Sequence, residues 1–207
     1  MAAGAIAEKI LRQAYGIEIV AFVTSVGKIH LSSTATTTAP LNDASNDDDS
    51  AEDALSSDFL QLLSTVTRAE VDKYPTRCPH AETSEAMTQR ILRAKAANDS
   101  IGGTVTCVIR NAPQGLGEPV FDKFEATLAH AMLSIPATKA FEIGSGFKGT
   151  EVPGSRHNDP FVKKADETLG TRTNWSGGIQ GGITNGENIY FRYKFLFKYE
   201  DPPLTIL

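Results

Sequence analysis

Little in this chain supports a disulfide framework, a metal centre or a membrane span. Its 207 residues include two cysteines, Cys78 and Cys107. They lie far apart with no metal-ligand spacing, which predicts buried thiols in a reduced, cytoplasmic protein. Cys78-Pro-His80 looks like half a metal site, but the sequence offers no other half, so no metal is expected. No apolar run reaches the roughly 20 residues that a membrane-spanning helix needs. The first residues are interrupted by Glu8, Lys9 and Arg12 and do not read as a secretory signal. Basic excess is lacking as well. The formal net charge is −5, whereas a nucleic-acid footprint calls for a basic stripe. No nucleic-acid or membrane partner is therefore expected.

The acids are unevenly placed. Asp43, Asp47, Asp48, Asp49, Glu52, Asp53 and Asp58 crowd one stretch that contains no base. Without them the chain is mildly basic, which suits a pocket for a small polyanion. Residues 32–57 are mostly Ser, Thr, Ala, Asn and Asp, a composition unable to bury enough surface to offset ordering entropy. They read as a flexible acidic insert.

Elsewhere, hydrophobic periodicity alternates between helix and strand. Ile6, Ile10, Leu11 and Ala14 predict a helix over 2–15 that buries this face, with Gly16 as its stop. The β-branched run from Ile17 predicts a buried strand, turned by Gly27 into a hairpin partner at 28–31. Phe59, Leu60, Leu63 and Val66 predict a short amphipathic helix. A second helix is expected from a Thr83 cap, with Met87, Ile91 and Ala94 inward and Arg90, Arg93 and Lys95 on other sides. Thr104 to Arg110 alternates as a half-buried strand. Pro119 predicts the start of another helix, with Val120, Phe124, Leu128 and Ala131 as its buried stripe. Ala140 to Gly144 reads as a short strand. Residues 145–170 read as one long loop carrying Lys148, Arg156, His157, Lys163 and Lys164.

The densest signal is Arg172-Thr-Asn174-Trp-Ser-Gly177-Gly178-Ile-Gln-Gly181-Gly182-Ile-Thr-Asn-Gly186, which runs into the aromatic strand Asn188-Ile-Tyr-Phe-Arg192. Glycines admit positive φ and bring main-chain N–H groups close to a ligand. Consecutive amides of this kind form anion-binding concavities. Arg172, Asn174 and Ser176 would line the lip of such a site, which suits something flat or phosphorylated.

Several ordered segments carry a family resemblance. They are Ala3-Gly-Ala-Ile-Ala-Glu-Lys-Ile-Leu11, Asp99-Ser-Ile-Gly-Gly103, Gly115-Leu-Gly-Glu-Pro-Val-Phe-Asp-Lys123 and Ser134-Ile-Pro-Ala-Thr-Lys-Ala-Phe-Glu-Ile-Gly-Ser-Gly-Phe147. With the double Gly-Gly motif, they make the chain resemble chorismate synthase from its first residues to about Arg192, the acidic insert excepted. The resemblance implies an α+β fold, a sandwich of helices between antiparallel sheets. It implies a lyase that eliminates phosphate from 5-enolpyruvylshikimate 3-phosphate to give chorismate in aromatic amino acid biosynthesis. It also implies reduced FMN as cofactor, NADPH as flavin reductant in some members, and a homotetramer. Flavin contacts map by resemblance onto Pro136, Ala137 and Gly181.

Other family segments have no counterpart. The family's Gly-Glu-Ser-His-Gly motif, its second catalytic histidine, its Ser-Ala-Arg flavin motif and its Arg-His-Asp-Pro-Cys segment are not found. None of the four histidines matches the catalytic pair. The expectation is one partial domain over 1–207 with a divergent tail at 193–207 and no catalytic residues of its own. Two other readings stay open, a non-catalytic flavin- or phosphate-binding or assembly module and a truncated product without a stable fold.

Overall fold

The computed structural model describes residues 2–31, 57–164 and 167–196. The predicted acidic insert lies outside them except for Ser57, and so does the tail beyond residue 196. The α+β expectation holds. Helix α1 (Ala2–Tyr15) leads through Gly16 into β1 (Glu18–Val26) and β2 (Ile29–His30). Next come α2 (Ser57–Thr65), α3 (Arg68–Val71), α4 (Ala81–Ala96) and β3 (Gly103–Arg110). After these lie α5 (Phe124–Leu133), β4 (Thr138–Ile143) and a 3-10 helix over Gly146–Glu151. Two short hairpins follow, β5 (Phe161–Lys163) with β6 (Leu169–Thr171) and β7 (Ile179–Gln180) with β8 (Ile183–Thr184). The last strand is β9 (Ile189–Phe195).

The main sheet has the order β2-β1-β3-β9-β4, and each adjacent pair is antiparallel. Successive side chains on a strand point to opposite faces, so neighbouring residues serve different cores. Val20, Phe22, Val108 and Tyr190 join Phe59, Leu63, Val66, Val71 and Met87 of the helical layer. Full burial of side chains such as Phe22 and Leu63 stabilises by about 1.5–3 kcal/mol each. Their strand neighbours Ile109 and Ile189 instead meet Phe124 and Leu128 of α5, with Ile143 and Ile179. The sheet is therefore clad by α2–α4 on one side and by α5 on the other.

Local chemistry accounts for most element ends. Gly16 and Gly27 take positive φ where α1 and β1 stop, a region open to glycine without steric cost. Thr67 and Glu70 form a reciprocal capping box on α3, satisfying two orphan donors at once. The β1 ladder slips once, between Val23 and Ser25, a bulge of the kind that bends a strand and re-aims its side chains. Tyr193, Lys194 and Phe195 pair within the sheet, so the first residues of the predicted divergent tail are structural.

Several expectations need correction, among them Ile91, placed inward on α4 but exposed, and Val120 and Ala131 of the predicted α5 stripe, also exposed. The predicted inward face of α1 is exposed among the described residues, with Ile6 at 63% and Ile10 at 55%. The cap of α4 is His80, whose Nδ1 accepts from the Thr83 backbone N–H. Thr83 sits inside the first turn and meets that same ring nitrogen through its hydroxyl, at 2.9 Å. Pro119 does not start a helix: Val120 takes φ 68°, and α5 begins at Phe124. The Phe124 amide donates to Gly182 O at 2.9 Å, so docking onto the glycine segment sets that start. Finally, residues 145–170 are not one loop, because they hold a 3-10 helix and most of the β5–β6 hairpin.

Candidate functional site

The glycine segment folds over the Ile189 end of β9. Gly181 and Gly182 form the two-residue turn between β7 and β8, with φ of 61° and 92°. Two successive positive φ values are what a tight hairpin turn of the primed type demands. Leu116 N–H donates to Thr184 Oγ1, and that hydroxyl donates to Pro113 O. The loop from Pro113 to Gly117 is thus strapped onto β8.

The first Gly-Gly pair serves chain packing. A Cβ on Gly177 would lie 2.6 Å from the Gly144 nitrogen, and one on Gly144 would lie 2.2 Å from Trp175 O. Both contacts are impossible for real atoms, so only glycine allows the two backbones to cross there. The amides are engaged as well. Gly178 N–H donates to Asn174 Oδ1 at 2.7 Å, and Gly177 N–H reaches Asn174 O at 3.3 Å. The predicted anion nest at 177–178 is therefore not present. Buried backbone donors find partners within the chain, and here those partners are internal.

The polar residues of the predicted lip are also occupied. Asn174 donates through Nδ2 to Asn188 O at 2.8 Å, and its carbonyl accepts from the Tyr190 hydroxyl at 2.8 Å. Ser176 gives its amide and its hydroxyl to Asp159 Oδ2, at 2.8 and 2.6 Å. Trp175 N–H and Thr173 Oγ1 donate to the other oxygen, at 2.8 and 2.7 Å. Burial alone would raise the Asp159 pKa. The hydrogen bonds from Ser176, Thr173 and Trp175 prevail and hold it below the usual aspartate value. The signal for Asp159 in the sequence is faint, a lone acid among cations with hydroxyl residues some fifteen positions on.

Most of the cationic stretch is likewise spent inside the structure. Lys163 pairs with Glu167 at 2.9 Å and Lys164 with Glu187 at 2.7 Å. His157 Nε2 lies 2.7 Å from Ser145 Oγ, and its ring faces Trp175 at a centroid distance of 5.2 Å. Arg172 remains exposed. Both cysteines are free and buried. Burial raises the Cys78 thiol despite an opposing hydrogen bond at His80, and pushes Cys107 up to about 12.

The three residues expected to touch flavin lie toward opposite ends of α5. Gly181 has open space where a Cβ would stand, so its surface can accept a ligand. It adjoins Gly182 at the Phe124 end of α5. Pro136 and Ala137 follow the other end of that helix, whose ten residues span about 15 Å at 1.5 Å each. Pro136 is exposed. Ala137 is held at φ 63°, with its carbonyl accepting from Leu196 N–H at 2.9 Å.

At the Phe195 end of β9 a cavity of about 430 Å³ opens between the β1–β2 hairpin and the β4–β9 edge. Arg192 reaches it from the sheet, donating through Nη2 to Gly144 O and Ser145 O at 3.1 and 3.3 Å. Its Nε lies 2.6 Å from Glu142 Oε1, yet that N–H has no acceptor in hydrogen-bonding alignment. The contact is a close ion pair whose N–H is out of hydrogen-bonding alignment. Sequence reading passed over this pair because its members lie on separate strands. Among the described residues no group of three His, Cys, Asp or Glu side chains is placed to hold a metal. No helix among them is long and apolar enough to cross a membrane.

Comparison with known proteins agrees with this architecture over nearly the whole chain. A family model described as chorismate synthase matches residues 1–198. Chorismate synthase of Schizosaccharomyces pombe is 60% identical over 196 residues, covering 94% of this chain and 49% of that protein. The Saccharomyces cerevisiae enzyme is 53% identical over 197 residues, covering 94% and 47%. A crystal structure of chorismate synthase superposes with a TM-score of 0.75 at 28% identity, covering 94% of this chain and 53% of that one. The chain thus spans about half the length of the curated relatives it matches. On that similarity, running from α1 to β9, the chain belongs to the chorismate synthase family.

Proposed function

We propose that this chain carries the central part of a chorismate synthase, the lyase that eliminates phosphate from 5-enolpyruvylshikimate 3-phosphate to give chorismate in aromatic amino acid biosynthesis. The observation that carries the reading is 60% identity to the fission yeast enzyme over 94% of the chain. Reduced FMN supplies the electron chemistry of this elimination when bound. The chain's own residues offer surfaces to such a flavin, namely the bare face of Gly181 and the turn of exposed Pro136 and half-buried Ala137. Their separation along α5 exceeds the width of a flavin ring system. The proposal is therefore that one copy presents Gly181 and another presents Pro136 and Ala137, in keeping with a homo-oligomer. NADPH as flavin reductant and a cytoplasmic location belong to the same reading.

General acids and bases must come within hydrogen-bond reach of the reacting atoms. None of the four histidines matches the family's catalytic pair, and two of them, His80 at the α4 cap and His157 on Ser145, are already held by neighbours. The 207-residue chain alone is expected to show no turnover. The test is the purified chain with reduced FMN and 5-enolpyruvylshikimate 3-phosphate, followed for chorismate release, beside a titration of FMN fluorescence. Saturable quenching without turnover is the expected result. Chorismate formation would overturn the inactive assignment, and quenching that is absent at high protein concentration would remove the flavin site.

A further inference from the structure

The bend that joins β8 to β9 brings together the parts of a covalent reaction. Asn185 follows β8 directly, and the residue after it, Gly186, is exposed. The chain holds eight asparagines, and Asn185 alone precedes a glycine. The carboxamide carbon of an asparagine lies within reach of the next residue's backbone nitrogen. Attack by that nitrogen closes a small cyclic imide, and its intramolecular nature lowers the barrier. A side chain on the following residue crowds this approach, and glycine has none.

Three contacts prepare the reaction. The Gly186 N–H, which would be the nucleophile, makes no hydrogen bond among the described residues. Glu187 N–H donates to Asn185 Oδ1 at 3.0 Å, so a donor already faces the oxygen on which negative charge develops during attack. Asn185 Nδ2 donates to Gln180 Oε1 at 3.1 Å, which holds the carboxamide with its oxygen turned to the bend. Other asparagines lack this arrangement. The amides that follow Asn98 and Asn174 are spent, donating to Ala94 O and to Asp159 Oδ1.

We propose that Asn185-Gly186 is a site of spontaneous succinimide formation whose isoaspartate product loosens the β7–β8 hairpin. The Gly186 nitrogen bonds to Asn185 Cγ, its proton passes through solvent to Nδ2, and the Cγ–Nδ2 bond breaks to release ammonia. Water then opens the imide at either carbonyl and leaves aspartate or isoaspartate at position 185. No electrons are exchanged. Isoaspartate adds a methylene to the main chain and sets a carboxylate near Glu187, which already pairs with Lys164. Asn185 N–H donates to Gly178 O and Gln114 Nε2 donates to Asn185 O, both at 3.0 Å. The longer backbone puts these two tethers out of register.

The test is incubation of the 207-residue chain in neutral and mildly alkaline buffer, with peptide mapping that separates aspartate from isoaspartate at every asparagine. Position 185 should convert at least about tenfold faster than any other, a barrier lower by about 1.4 kcal/mol. Alkaline buffer should speed the conversion, because it is the deprotonated amide nitrogen that attacks. Asn185→Gln lengthens the side chain by one methylene and should suppress it. The isoaspartate form, separated by ion exchange, should melt at a lower temperature than the parent. Conversion at 185 no faster than elsewhere, or only in urea, would overturn the site. An isoaspartate form that melts with the parent would overturn the loosening of the hairpin.

Discussion

The two ends of β9 treat buried polar groups in opposite ways. At the Ile189 end, two glycine backbones cross and the adjoining turn is stapled by Asn174 and Asp159, whose acceptors are filled by neighbours in the chain. At the Phe195 end, Arg192 pairs with Glu142 at the wall of a cavity, with its Nε–H out of hydrogen-bonding alignment, and Phe147 on the same cavity is exposed. The glycine-rich sequence belongs to the closed end, and an ordinary strand sequence belongs to the open one. Glycine permits close approach, but whether the approaching body is a ligand or the chain itself depends on what the rest of the fold places there.

The sharpest way to break this contrast is to force the closed end apart. Gly144→Ala would set a methyl group 2.2 Å from Trp175 O at a residue with φ 58°. Both backbones would have to shift, and the expected loss is about 3–4 kcal/mol, read from the urea midpoint. A loss below about 1 kcal/mol, within reach of left-handed strain alone, would mean that the crossing yields easily and that the glycine serves some other purpose.

Asp159→Asn tests the same end by chemistry. The carboxylate accepts four charge-assisted bonds, and an amide presents hydrogens to donors that need acceptors. The expected cost is about 2–3 kcal/mol. The pH dependence has a definite sign. A carboxyl whose folded pKa is depressed adds stability that is fully present above the unfolded value of about 3.9 and is lost as pH falls through the folded one. The parent should therefore lose stability below about pH 4 more steeply than the variant, as measured by thermal melts from neutral to acidic pH. Parallel slopes would show that Asp159 is not the group that titrates.

How much of this could be read beforehand differs by element. The β1–β2 hairpin, α2 and β3 were legible because each has its own period and its own stop, Gly27 being the plainest. The start of α5 was not, since Pro119 is a sound local signal and the docking of Phe124 on Gly182 is a contact across the chain. The His80 cap escaped because imidazole is seldom counted among capping acceptors. Strands of two or three residues, as in β5 to β8, are too short to carry any period. At the candidate site the glycines were found and their purpose was misread for the 177–178 pair. Asp159 and the Glu142–Arg192 pair depend on side chains that only tertiary structure brings together.

The smallest expected effect decides between the remaining roles of the glycine turn. Gly181 differs from its neighbours in having nothing within 4 Å of the point where a methyl group would stand, though its φ is 61°. Gly181→Ala should therefore cost only the left-handed strain of about 1 kcal/mol, well short of the Gly144 variant. If the bare face of this residue touches flavin, a methyl there removes that approach, and FMN affinity falls while the urea midpoint barely moves. A variant that keeps its affinity with the same small stability loss would leave Gly181 as a turn former alone. The closed end of β9 would then be structural throughout.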